Sequence, residues 1–159
     1  MVKVNEGFNH IPEIEKQLRY IENHYIAIGI FSDAGEHPDA EINMVELARV
    51  HEFGTTIKQG DNTIVIPERS FIRAGFDSKK KNIRNQAEKL LTDVLTMKTT
   101  AKPAMDALGQ VIVTQLQEYL TNLSQPPNAA STIAQKGSSN PLIDEGHLRD
   151  SIVHKVRSN

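Results

Sequence analysis

The sequence predicts an α+β domain: a small, mainly antiparallel sheet with two long amphipathic helices packed on it, and an extended Pro/Ser-rich arm. Three observations predict it. Two adjacent stretches in the middle of the chain hold a helical apolar period over many turns, short β-branched or apolar runs lie far apart in the sequence, and residues 124–141 lose both signals. A helix with one apolar stripe needs a surface to cover it, and a sheet built from the runs at 24–31, 62–67 and 152–157 supplies that surface.

At 159 residues the chain suits one domain, spanning 1–159, and a chain of this size buries about 68–70% of the surface its unfolded form exposes. The absence of cysteine excludes a disulfide framework and thiolate metal ligands, and fits a chain that folds in a reducing cytoplasm. A formal charge of −2 gives no global case for nucleic acid or anionic lipid as partner. The opening MVKVNEGFNH lacks the apolar core of a signal peptide, and the longest apolar run, 25–31, falls well short of the ~20 residues that span a bilayer, so no membrane partner is expected.

Taken in order, Ile11, Ile14, Leu18 and Ile21 recur at helical spacing, with Pro12 near the first turn, where a missing N–H costs nothing. Residues 24–31 (HYIAIGIF) are apolar on both alternations, as in a central strand covered on both faces, and Gly29 predicts the close approach of another backbone. An acidic loop, 32–42, follows, and a loop of that length usually has a task. Asn43 is placed to cap the next helix, with Glu46 three residues on as in a capping box; Met44, Leu47, Ala48 and His51 share its inner face, and Gly54 stops it. A polar loop then leads to the β-branched run Thr63 to Ile66, which Pro67 ends by removing the next ladder donor.

From Asp77 an apolar stripe (Ile83, Ala87, Leu90, Leu91, Val94, Leu95) marks a long helix whose Lys79, Lys80, Lys81 and Arg84 oppose the helix dipole, with Asp77 a partial offset. Pro103 opens a second one, carried by Met105, Leu108, Ile112, Val113, Leu116, Tyr119, Leu120 and Leu123. The arm at 124–141 holds Pro126, Pro127 and a Ser138-Ser139-Asn140 run, with one short turn expected at 129–135. Asp144 is placed to cap a short turn through Leu148 before the last strand.

Three blocks carry a resemblance: Val50-His51-Glu52-Phe53-Gly54-Thr55; Ile66-Pro67-Glu68-Arg69-Ser70-Phe71-Ile72-Arg73; and Pro141-Leu142-Ile143-Asp144-Glu145-Gly146-His147-Leu148-Arg149-Asp150-Ser151-Ile152. In this order they resemble the signature blocks of a bacteriophage neck and tail-completion family, whose members are often labelled virion morphogenesis or minor tail proteins. Ala74 and Glu145 stand where that family often has proline and threonine. The resemblance implies a virion structural component at the head–tail junction, a ring of identical subunits that joins or terminates the tail. It implies a hexamer, from the symmetry of a tail tube, contacting the head-side connector, the tail tube or both, with non-specific contact to DNA in the channel. The motif residues His51, Glu52, Phe53, Gly54, Pro67, Arg69, Phe71, Arg73, Asp144, Gly146, Leu148 and Ser151 are then the interface set.

The chemistry of the residues points the same way. His51-Glu52 begins like a zinc helix motif, but the position four residues on is Thr55 and Gly54 interrupts the helix; His147 and His154 would have to supply ligands from elsewhere. The expected role of His51 is a half-buried ring with local hydrogen bonds. Ser32, Ser70, Ser131 and Ser151 lack the glycine-flanked elbow of a nucleophile; Ser70 is expected to cap the following helix and Ser151 to bond backbone near Asp144. Asp144, Glu145 and Asp150 read as solvated loop acids, Gly146 as a turn residue, and Gly29 and Gly35 do not form a phosphate loop. Arg69 and Arg73 suit fixed ion pairs, across an interface or within the chain, while Phe53, Phe71 and Phe76 divide between core and partner anchor. No cofactor and no catalytic activity are expected. Two alternatives stand beside this reading: a DNA-associated packaging accessory acting through Lys79 to Arg84, and a small metal-dependent hydrolase using His51 or Asp144.

Overall fold

A computed structural model describes residues 10–38, 41–127 and 146–159. The fold is α+β, and its two ends close on each other. Helix α1 (Ile11–Glu22), with Pro12 in its first turn, gives way at Asn23 to strand β1 (His24–Gly29). This strand pairs antiparallel with the last element, β4 (Val153–Ser158), from His24 opposite Ser158 to Gly29 opposite Val153. Beyond the ladder, the Asn159 N–H donates to the Asn23 carbonyl at 2.9 Å.

The acidic loop contains a 3-10 turn at Ser32–Ala34 and a bridge between Glu36 and Asn43; residues 39 and 40 lie outside the described set. Helix α2 (Met44–Phe53) starts as its sequence requires, with Asn43 Oδ1 accepting the Val45 N–H at 2.9 Å. Glu46 does not reach back to close a capping box; it lies 3.7 Å from Arg49. A hairpin of β2 (Thr55–Gln59) and β3 (Asn62–Ile66) leads into the long helices α3 (Arg73–Leu95) and α4 (Ala101–Asn122), and the short α5 (His147–Asp150) precedes β4.

Helix α4 lies across both β1 and β4, and α3 lies antiparallel beside α4. Two glycines set these approaches. A Cβ at Gly109 would stand 2.3 Å from the His154 ring on β4, and one at Gly75 would stand 2.9 Å from Leu116 on α4. The core collects Met44 and Ala48 of α2, Phe71 ahead of α3, Leu116 and Leu120 of α4, and Leu148 and Ile152 from the C-terminal segment.

Four expectations need correction. The Thr63 to Ile66 strand does not join β1 and β4; there are two separate two-stranded sheets, because residues 55–59, read as loop for their polar Lys58 and Gln59, form its partner strand. Strand β1 is not central: among the described residues it pairs on one side only, and Ile26 and Ile28 are half-buried. Apart from its ladder partner Val153, no backbone packs where a side chain of Gly29 would stand, since an added Cβ would meet nothing within 4 Å; its φ of +152° is what favours glycine. Both long helices begin earlier than their apolar stripes suggest, α3 at Arg73 and α4 at Ala101, whose N–H is accepted by Gln17 Oε1 of α1 at 2.8 Å. The Asp144 cap, the turn at 129–135 and most of the arm lie outside the described residues.

Candidate functional site

The chain crosses itself at Gly54. This residue has φ +69°, and a Cβ on it would lie 2.7 Å from the Glu68 nitrogen and 2.9 Å from the Ile66 carbonyl oxygen, so the segment through Pro67 passes directly over the end of α2. The crossing continues as the Arg69 N–H donates to the His51 carbonyl at 2.8 Å. It carries the start of α3 onto the side chain of Glu52.

Glu52 is only 5% exposed. Its carboxylate accepts the backbone N–H groups of Phe71 (2.9 Å), Ile72 (2.9 Å) and Arg73 (3.0 Å), the Ser70 hydroxyl (2.8 Å) and Arg73 Nε (2.9 Å). The first turn of a helix leaves N–H groups without intrahelical partners and a partial positive charge. Helix α3 has no acid in its own first turn, and Glu52 supplies the anion from a different helix. Burial by itself would raise the Glu52 pKa; the amides of Ile72 and Arg73, the Ser70 hydroxyl and the Arg73 guanidinium outweigh it and hold the carboxyl below the usual glutamate range. Ser70 also accepts from the Ala74 N–H at 3.3 Å, so it takes part in the cap in the expected place.

Both arginines are engaged within the chain. Arg73 Nη2 donates to the Glu52 carbonyl (3.0 Å) and to Glu68 (2.9 Å), and the guanidinium stacks 4.5 Å above the Phe53 ring. Its charged form is favoured first by the Glu52 hydrogen bond. Arg69, also 5% exposed, donates from Nε to the Pro126 carbonyl (2.9 Å) and from Nη2 to the Pro127 carbonyl (3.1 Å), which fixes the start of the arm. Burial lowers its pKa.

The third block joins from the other side of the core. Gly146 opens α5 with φ +82°; Leu148 and Ile152 are buried in the same core as Met44 and Phe71, and the Ser151 hydroxyl donates to the His147 carbonyl at 2.8 Å. Asp144 lies outside the described residues. The histidines do not converge: His51 is half-buried at the end of α2, the His147 ring sits edge-on to His37 at 5.3 Å, and His154 Nε2 lies 2.9 Å from Asp106. Among the described residues no three His, Cys, Asp or Glu side chains come together as a metal site. The sequence places Glu52 in the first resemblance block and at the start of a broken zinc motif, and neither shows its capping role. The signal available was the start of α3, a helix whose first turn holds no acid and whose next turns are basic.

Outside this node the surface has apolar patches, among them one on the hairpin and one beside β1. Cross-strand partners in the hairpin share a face, so Ile57 and Ile64 stand together, at 46% and 47% exposure. A groove of about 460 Å³ opens between β1 and the start of α3, lined by Ile26, Ile28, Ile72, Phe76 and Leu116 with Arg73 and Asp77 at its rim. Phe71 is fully enclosed, whereas Phe53 and Phe76 reach the surface. Lys80, Lys81 and Arg84 are exposed on α3, with Arg84 bound to Glu88 at 2.8 Å.

Comparison with protein-family models, with characterised proteins and with solved structures finds no match for this chain. No helix among the described residues is long and apolar enough to cross a membrane.

Proposed function

We propose that this chain is a structural subunit of a bacteriophage virion, seated at the head–tail junction, where identical copies close into a ring that joins or terminates the tail. One observation carries the reading: the hairpin and the described start of the arm spring from a single buried node. The hairpin leaves the node at Gly54 and returns at Pro67, and Arg69 grips the arm at Pro126 and Pro127. The three blocks that resemble the neck and tail-completion family are parts of that one unit. Glu52 ties the first to the second, and Leu148 and Ile152 bring the third into the core around Phe71.

In this reading the node is a rigid frame, and catalysis has no part in it. Glu52, the buried acid of the first block, holds the start of a helix. The hairpin and arm are the contacts, offered to the next copy, to the head-side connector or to the tail tube. A closed ring needs surfaces that meet head to tail, and two different segments can supply the two unlike surfaces. The test is electron microscopy of the purified protein, alone and with head and tail components. Rings of one size, six-fold by the symmetry of a tail tube, are expected; separate chains under every condition contradict the reading.

A further inference from the structure

We infer that strand β3 of one copy lies along the open edge of β1 in the next, seating Ile57 and Ile64 in the groove beside Phe76 and extending the β4–β1 pair to four strands. The inference rests on the ring reading and adds the surfaces that meet.

Each strand edge in the chain can be sorted by its charge. Lysines on an edge strand discourage pairing with another chain. Strand β4 (VHKVRS) carries Lys155 and Arg157, and β2 (TTIKQ) carries Lys58. Strands β1 (HYIAIG) and β3 (NTIVI) carry no lysine, arginine or acid. Among the described residues, the outer edges of both are unpaired. The two unguarded edges therefore belong to different sheets of the same molecule, which is what a head-to-tail contact requires.

The faces agree with the edges. Strand β1 is apolar on both alternations, as a central strand covered on both faces would be, yet among the described residues its outer edge has no partner strand. Helix α4 lies under β1 and β4, while α3, next to α4, has no strand above it and leaves Phe76, Leu91 and Leu95 about 40% exposed. A hairpin added beside β1 would lie over α3. An isolated two-stranded hairpin is marginally stable in water and gains from an apolar surface to cover. The Ile57 and Ile64 side chains occupy one face of this hairpin, while Val65 points to the other. With that face turned down, they continue the row begun by Ile26 and Ile28.

Charge-bearing variants of the full-length protein separate the parts. Ile64→Lys damages the hairpin face and Phe76→Lys the groove; both positions are surface-accessible, and circular dichroism with a urea midpoint near wild type confirms folding, with Asp77→Lys, on the same groove, replacing Phe76→Lys should the latter fail. Native mass by light scattering is the readout. Each variant alone is expected to stay single-chain, whereas a mixture of the two gives a two-chain complex, since one copy keeps a sound groove and the other a sound hairpin. Val65→Lys, on the opposite face, should still assemble. If wild type assembles and Ile64→Lys assembles equally well, or if mixing restores nothing, this inference is overturned while the ring reading stands. A wild-type chain that stays single at every concentration overturns both.

Discussion

Glu52 is the side chain that most of the node depends on, because it joins two helices that are far apart in sequence. Replacing it with alanine takes the acceptor from the Phe71, Ile72 and Arg73 amides at the start of α3, and leaving a buried donor unsatisfied costs about 1–3 kcal/mol. Glu52→Gln keeps the shape and loses the charge, for a cost of about 1.5–3 kcal/mol, the range of hydrogen bonds to charged groups. Urea denaturation at neutral pH measures both; losses under about 1 kcal/mol would show that the cap does not hold α3. The pH dependence follows from the lowered pKa. A carboxyl whose folded value lies below its ordinary 4.5 gives stability that is present in full above that value and is lost as pH falls through the folded one. Acid should therefore destabilise the wild type more than Glu52→Gln, and parallel urea midpoints from neutral to acid pH would contradict this. Gly54→Ala combines a positive φ with backbone atoms at 2.7 and 2.9 Å. The strain alone costs about 1–3 kcal/mol, and the clash adds to it. A urea midpoint unchanged from wild type would mean that the crossing does not need glycine.

At the scale of elements, the helices were legible because their signals are local. Pro12 and the apolar stripe place α1, Asn43 caps α2 as its side chain suggests, and the stripe from Met105 to Leu120 follows α4 through its buried face. What escaped sequence reading depends on distant partners. Strand β2 looks like a loop because Lys58 and Gln59 break its apolar pattern, and only the pairing of Thr55 to Gln59 with Asn62 to Ile66 reveals it. Ser70 marked the approach to α3 in the sequence, but the anion that completes its first turn, Glu52, lies in another helix and could not be read from it. For β1 the disagreement is informative: its sequence suits a central strand covered on both faces, whereas among the described residues it pairs on one side and Ile26 and Ile28 are half-buried. Packing between elements gives its own prediction at Gly109, where α4 touches β4. A methyl there would overlap the His154 ring at 2.3 Å, and overpacking of this kind costs about 1–3 kcal/mol. Gly109→Ala should lower the urea midpoint accordingly, although alanine favours helix formation; a rise in the midpoint would show that α4 and β4 have room to spare.

Across the whole molecule, one buried crossing sets the directions of the hairpin and the arm, and the sheet and α3 together leave one apolar flank open. Of the motif residues read from the sequence, those from His51 to Arg73 lie where the described chain concentrates fixed polar contacts. The sequence could not separate buried members such as Phe71 from surface ones such as Phe53, since exposure depends on which elements pack above them. All of this requires that copies of this chain assemble with one another. Sedimentation equilibrium of the full chain over a wide concentration range is the decisive measurement. A mass that rises from 17.7 kDa to a fixed multiple and then stops is expected, as a closed ring requires. A species of 17.7 kDa at every concentration would contradict it.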